Sequence, residues 1–294
     1  MIDRACISLS NICNLKCKYC HFADKQKDFD AFNFDDIKTI LDNIHNYCVL
    51  NNLSTFKLGI VGAGEPLTKK ALLFELIKYV HNNSYKEIIM YTITNGTLLT
   101  KRDIEFFYAY KNEIKLCFSL DGYKEIHNAG RKRFDEVMKS IELYKKIFNE
   151  SPSINATVNR LSYENKERVA HFFKDNRLNN VTFSILSGYF EKDLYISGVQ
   201  YNEFMNYMKC QGISSRQFKS ESSYDCTMYG KLCGVGRTNI FIAKEGVYPC
   251  GRFYKNDKYK IGEFYHFLNE IEKEIKNFTP VNDGECYYKK HLEE

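Results

Sequence analysis

Residues 5–20 read ACISLSNICNLKCKYC. The stretch opens as a short apolar, β-prone run and ends in three cysteines, Cys13, Cys17 and Cys20, spaced C-x3-C-x2-C. A strand that runs straight into such a loop sets soft ligands at its carboxyl end, where parallel α/β folds bind their ligands. Thiolates there hold zinc or an iron–sulfur cluster. A structural zinc site closes its shell with four ligands. No fourth cysteine follows here: Cys6 lies upstream on the strand, Cys48 falls in a helical segment, and His21 adjoins Cys20 directly. A four-iron cluster held by three cysteines leaves one iron open for an exogenous ligand.

Downstream, the strand-to-loop pattern recurs. FKLGIVG, EIIMYTIT, IKLCFSL, INATVN and VTFSIL read as strands, and segments of helical period such as KKALLFELIKYVHN and FDEVMKSIELYKKIF separate them. Six βα units predict an α/β fold with a parallel sheet and right-handed crossovers, either open or partly closed into a barrel. The runs read as near-continuously apolar, which predicts a sheet covered on both faces. The loops GAGEP (62–66), TNG (94–96), SLDG (119–122) and VNR (158–160) fall at the same strand ends as the cysteine loop, which points to one site. Near residue 187 the rhythm breaks. A helix QYNEFMNYMKC, a hairpin TNIFIAKEGVYPC turning at AKEG, and a last helix FYHFLNEIEKEIKNF follow. Two units are expected, 1–190 and 191–294.

The chain has 294 residues, 44% hydrophobic, with net charge +5 and no dense basic block. Nothing demands a nucleic-acid partner. No apolar run approaches the roughly 18 residues of a membrane span, and MIDRACISLS lacks the apolar core of a signal peptide. The expectation is a cytoplasmic protein without a membrane partner. In a reducing compartment its 11 cysteines serve as ligands, reactive thiols or small buried hydrophobes rather than disulfides. Cys6, Cys48 and Cys117 read as buried hydrophobes. Cys210, at a helix end near the unit junction, is the candidate hydrogen-atom donor.

C-x3-C-x2-C directly after the first strand, with Tyr19 before the last cysteine, resembles the radical S-adenosylmethionine (SAM) superfamily. The resemblance covers the six βα units and implies a partial (β/α)6 barrel. It implies that Cys13, Cys17 and Cys20 hold a [4Fe–4S] cluster whose open iron binds SAM. Reductive cleavage then gives a 5′-deoxyadenosyl radical that abstracts a substrate hydrogen, while the protein positions and shields the chemistry. GAGEP is similar to the family's glycine-rich motif for the SAM amino group, which implicates Gly62, Gly64 and Glu65; Ala63 departs from the commoner glycine. Ser119 and Asp121 match positions that contact SAM in relatives, and Asn95, in the loop after the third strand, is a further candidate for binding the cofactor. Arg131, in HNAGRKRF, matches an arginine near the SAM carboxylate. Asn95-Gly96 and Asp121-Gly122 are also ordinary turn chemistry.

CGVGRTNIFIAKEGVYPC, residues 233–250, resembles the auxiliary-cluster region of the SPASM/twitch branch. That resemblance implies a small C-terminal domain with one auxiliary [4Fe–4S] cluster on Cys226, Cys233, Cys250 and Cys286. SLDG, IHNAGRKRF and the hairpin together resemble the peptide- and protein-modifying members. Sulfatase maturases carry an aspartate after the hairpin cysteine; this chain has Gly251. The expected reaction is thioether or carbon–carbon cross-linking of a ribosomally made peptide. Dehydrogenation or epimerisation of a small molecule or peptide residue is the alternative. A cluster protein that only transfers electrons is the contrasting reading. Expected partners are the substrate, a reductase such as flavodoxin or ferredoxin, and a separate leader-binding protein.

Overall fold

A computed structural model describes residues 1–23, 31–186, 192–219 and 234–276. The six predicted strands are β1 (Arg4–Ile7), β2 (Phe56–Ile60), β3 (Ile88–Thr94), β4 (Ile114–Ser119), β5 (Ser153–Val158) and β6 (Val181–Ile185). They lie side by side in chain order, every pair parallel. The helices between them are α1 (Phe34–Leu50), α2 (Lys70–Asn82), α3 (Lys101–Ala109), α4 (Lys124–Gly130), α5 (Phe134–Phe148), α6 (Arg160–Glu164) and α7 (Lys166–Asp175). α8 (Gly198–Cys210), the hairpin β7 (Asn239–Ala243) and β8 (Gly246–Tyr248), and α9 (Leu268–Ile275) complete the described elements. The short α4 and α6 have too few residues to show a helical period, and α9 starts later than the sequence pattern suggests.

Local chemistry sets several helix starts. Asn33 with Asp36, Thr100 with Asp103, and Ser197 with Gln200 form capping boxes at α1, α3 and α8. Each satisfies amide groups that a helix start leaves unpaired.

The hairpin joins the sheet itself. β7 pairs in parallel with β1, from Arg4↔Asn239 to Ile7↔Ile242, and β8 pairs antiparallel with β7. The strand order is β6-β5-β4-β3-β2-β1-β7-β8, an open sheet whose ends do not meet. At the β6 end, the buried Gln217 carboxamide stands in for a further strand. Its Nε2 donates to the Phe183 carbonyl (2.6 Å) and its Oε1 accepts from the Phe183 amide (2.8 Å). At the other end, Val247 and the Ile261–Gly262 segment exchange backbone bonds of 2.8 Å.

The two faces of the sheet differ. Ala5, Ile7, Leu58, Leu116, Ile154 and Phe183 face the helices in the main core. On the other face the expectation of apolar strands fails for β5 and β6. Ser153, Asn155 and Thr157 alternate with Ile154, Ala156 and Val158, and Thr182 and Ser184 alternate with Val181, Phe183 and Ile185. The polar set is half-buried while its apolar neighbours are buried. Under β1 and β7 the inner face is filled by a second cluster that includes Phe22, Phe241, Phe253, Tyr248 and Tyr254. Among the described residues no helix is long and apolar enough to cross a membrane.

Candidate active site at the carboxyl edge

The loops after β1, β2, β3 and β4 meet at one edge of the sheet. The cysteine loop is tied first to the loop after β2. The Glu65 amide donates to the Ile12 carbonyl (2.8 Å), and the Ala63 amide donates to Ser8 Oγ (3.0 Å). Such proximity requires glycine. A Cβ on Gly62 would lie 2.2 Å from the Ser8 Cβ, and one on Gly64 would lie 2.3 Å from the Ile12 carbonyl oxygen. Ala63 is buried and fits beside them, so the departure from glycine there costs no space.

Glu65 joins the loops after β2 and β3. Its carboxylate accepts from Thr94 Oγ1 (2.7 Å), the Asn95 amide (2.8 Å) and the Leu67 amide (3.1 Å). Burial pushes its pKa up, against these donors, which favour the charged form. Asn95 in turn donates to Asn14 Oδ1 (2.8 Å) inside the cysteine loop and accepts from Thr97. Both side chains thus hold the loops in register.

On the far side, Tyr19 donates its hydroxyl hydrogen to Asp121. Asp121 also accepts from Arg131 Nε (3.1 Å to each oxygen) and from the Thr157 amide (2.8 Å). Arg131 reaches Thr157 Oγ1 (3.2 Å), and its guanidinium lies 5.4 Å from the Tyr19 ring centroid. The Lys18 amide donates to the Gly130 carbonyl (2.9 Å), and a Cβ on Gly130 would collide with the Tyr19 ring. Gly130 is therefore fixed by close packing against the cysteine loop, which HNAGRKRF does not reveal. His127 is buried. Its Nδ1 faces the Asp121 amide (3.5 Å) and its Nε2 the Lys132 carbonyl (3.1 Å), which assigns the proton to Nε2. Burial lowers its pKa.

Cys13, Cys17 and Cys20 are all half-buried. Burial pushes the Cys13 thiol up to about 11, and it also raises Cys17 and Cys20. The thiols are near enough for charge on Cys17 or Cys20 to raise Cys13 further, and Arg131 opposes the rise at Cys17. Among the described residues no three or more His, Cys, Asp or Glu side chains converge as a single-ion site. Three neighbouring soft thiols in one loop fit an iron–sulfur cluster, whose cysteines bind separate irons.

Ser119 lies at the end of β4 on the inner face, and its hydroxyl has no hydrogen-bond partner among the described residues. Cys250, after β8, packs on the same aromatic cluster as Cys20. Cys226, Cys233 and Cys286 lie outside the described residues. Cys48 and Cys117 are buried as expected, whereas half-buried Cys6 faces inward with its Sγ 3.6 Å from Tyr91 Oη. Cys210 is not brought to the site. It is exposed at the end of α8, and the segment just after it pairs Ser214 with Asn180, below the start of β6. That is the opposite edge of the sheet. Sequence reasoning missed the inner-face side chains Asn155, Thr182 and Ser184. Their signal is the period-two alternation in SINATV and VTFSI.

The family model described as the Radical SAM superfamily matches residues 7–175. Over 299 aligned residues the chain is 26% identical to the cysteine-type anaerobic sulfatase-maturating enzyme of Clostridium perfringens (strain 13 / Type A), covering 91% of this chain and 79% of that one. The structure of native anSMEcpe with bound AdoMet is similar with a TM-score of 0.74 at 23% identity, over 91% of this chain and 79% of that one. Streptococcus suis SuiB bound to precursor peptide SuiA is similar with a TM-score of 0.70 at 20% identity, over 92% of this chain and 64% of that one. Both likenesses to solved structures are likenesses of fold.

Proposed function

The chain belongs to the Radical SAM superfamily, and from that premise we propose that it modifies a peptide oxidatively, joining two residues through a thioether or a carbon–carbon bond. As a radical SAM enzyme it uses a [4Fe–4S] cluster and SAM. When bound, these supply reductive cleavage of SAM and abstraction of a hydrogen atom from the substrate.

The observation that carries the proposal is the three-cysteine loop at the carboxyl edge, stitched to the loops after β2, β3 and β4. Cys13, Cys17 and Cys20 would hold the cluster. Gly62 and Gly64 bring the second loop against them, and Glu65 and Asn95 fix the third. Asp121 and Arg131 spend their hydrogen bonds on Tyr19, Thr157 and each other. Their part is to orient the loop and to set a positive charge beside Cys17. Ser119, whose hydroxyl has no partner among the described residues, would meet SAM. Cys226, Cys233, Cys250 and Cys286 would hold one auxiliary [4Fe–4S] cluster of the SPASM/twitch kind, which would supply an acceptor for the second electron that leaves the peptide, with a proton lost to solvent, as the new bond forms.

A peptide substrate is supported by kinship with a sulfatase-maturating enzyme along most of the chain. Bond formation, rather than maturation by the route that uses an aspartate, is supported at Gly251. A Cβ there would lie 3.0 Å from the Phe241 ring and 3.3 Å from the Phe22 ring, so a longer side chain would have to push these rings back by a few tenths of an ångström. A flavodoxin or ferredoxin would supply electrons.

The test is anaerobic reconstitution, followed by counts of iron and sulfide and an assay of 5′-deoxyadenosine release with a strong reductant. About eight irons per chain, with release abolished in Cys17→Ala, is the expected result. About four irons with release intact removes the auxiliary cluster. Zinc in place of iron, with no release, overturns the proposal.

A further inference from the structure

The strand residues of the inner face carry cations, and several of its polar groups have no partner among the described residues. Its strand residues include Arg4, Lys57 and Lys115 and no carboxylate. Arg4 pairs with Asp3 at 3.1 Å. Lys57 and Lys115 are exposed and have no ion-pair or hydrogen-bond partner among the described residues. They stand on β2 and β4, with only β3 between them, so their strands lie about 10 Å apart. On β3, Ile89 is level with Lys57 and Tyr91 with Lys115, and Ile89 is 48% exposed despite its place in a sheet. On β5 and β6 the half-buried Asn155, Thr182 and Ser184 likewise have no side-chain partner among the described residues. Asn155 and Thr182 are register partners.

An amide or hydroxyl taken partly from water without a partner costs free energy that a ligand can recover. Two exposed cations without an ion-pair partner among the described residues present a positive potential to an approaching anion. An extended peptide along this face can use both features: its backbone meets Asn155, Thr182 and Ser184, and a carboxylate meets the lysines. From Ser119, beside the cysteine loop, to Lys115 is four residues of strand, about 13 Å. An extended substrate covers that span with about four residues of its own.

Resting on the peptide-modifying function above, we propose that this face is a subsite for an acidic peptide. Lys57 and Lys115 receive a glutamate or aspartate about four residues from the modified position.

The test uses reconstituted holoenzyme with SAM and fluorescein-labelled Gly-Ser peptides that contain one cysteine. One set carries paired glutamates four residues to either side of the cysteine, and the matched set carries glutamines. Anisotropy at low ionic strength should show the glutamate peptide binding about tenfold tighter in at least one placement. The Lys57→Gln/Lys115→Gln variant should bind both sets equally. Equal binding of the two sets by wild-type protein overturns the proposal. So does discrimination that survives in the double variant, or lysine-dependent binding of ATP in place of either peptide. 5′-Deoxyadenosine release is measured in parallel. Failure of the enzymatic function would remove release and leave the peptide discrimination, whereas failure of the subsite would do the reverse.

Discussion

Ile154 and Asn155 are neighbours on β5 with opposite surroundings. Ile154 is fully buried in the core beneath the helices, whereas Asn155 is half-buried on the inner face with its carboxamide unpartnered among the described residues. Consecutive strand residues point to opposite faces, so the contrast holds along β5 and β6. One face stabilises the fold. The other ties Ser153 and Thr157 to neighbouring side chains but keeps Asn155, Thr182 and Ser184 without side-chain partners among the described residues, which is where recognition can reside without a loss of stability.

The sharpest way to break this comparison is Ile154→Ala. Emptying a fully buried site should cost about 2–5 kcal/mol, read as a lower midpoint in urea unfolding of the reconstituted protein. A loss comparable to that of a surface substitution would mean that the helix-facing side is not the stabilising one. Next is Glu65→Gln, at the rim where the loops meet. The carboxamide oxygen can still accept from Leu67 and Thr94, but the new NH2 group turns a donor toward the Asn95 amide, and the charge that strengthened all three bonds is lost. A loss of about 1.5–3 kcal/mol is expected for charge-assisted bonds of this kind.

His127 gives a pH-dependent test. Its folded pKa lies below the ordinary 6.5 because burial disfavours the imidazolium. The unfolded chain therefore takes up the proton first, and stability declines as pH drops below about 6.5. Unfolding midpoints measured from pH 7.5 to 5 should decline less in His127→Gln than in the wild type. Parallel slopes would remove the histidine from the acid response. The smallest effect on stability is expected for Asn155→Ala, within about 0.5 kcal/mol, together with weaker binding of the glutamate peptide. A large stability loss there would place Asn155 in the fold rather than in recognition.

Much of the architecture is legible in the chain. Strands such as IKLCFSL and helices such as FDEVMKSIELYKKIF differ in period, and C-x3-C-x2-C directly after a strand locates the site before any fold is known. Pairing of β7 with β1 is not legible, because NIFIA carries no mark of its partner and the contact spans more than 230 residues. The ties from Tyr19 to Asp121 and from Asn14 to Asn95 are equally hidden, since both join loops distant in sequence. Cys210 shows the limit of reasoning by residue type. A thiol near a unit junction suggests chemistry, but the direction of α8 carries it to the wrong edge. The polar lining was available in SINATV and VTFSI, where alternation outweighs the apolar content of the runs.

Gln217 has a consequence for the protein in the cell. An unclosed sheet offers the backbone of its last strand to any extended chain nearby, and such edges seed aggregation. The two hydrogen bonds from the Gln217 carboxamide to Phe183 occupy that template from within. A protein that awaits an oxygen-sensitive cofactor after synthesis is thereby guarded, at this edge, from association with its own copies.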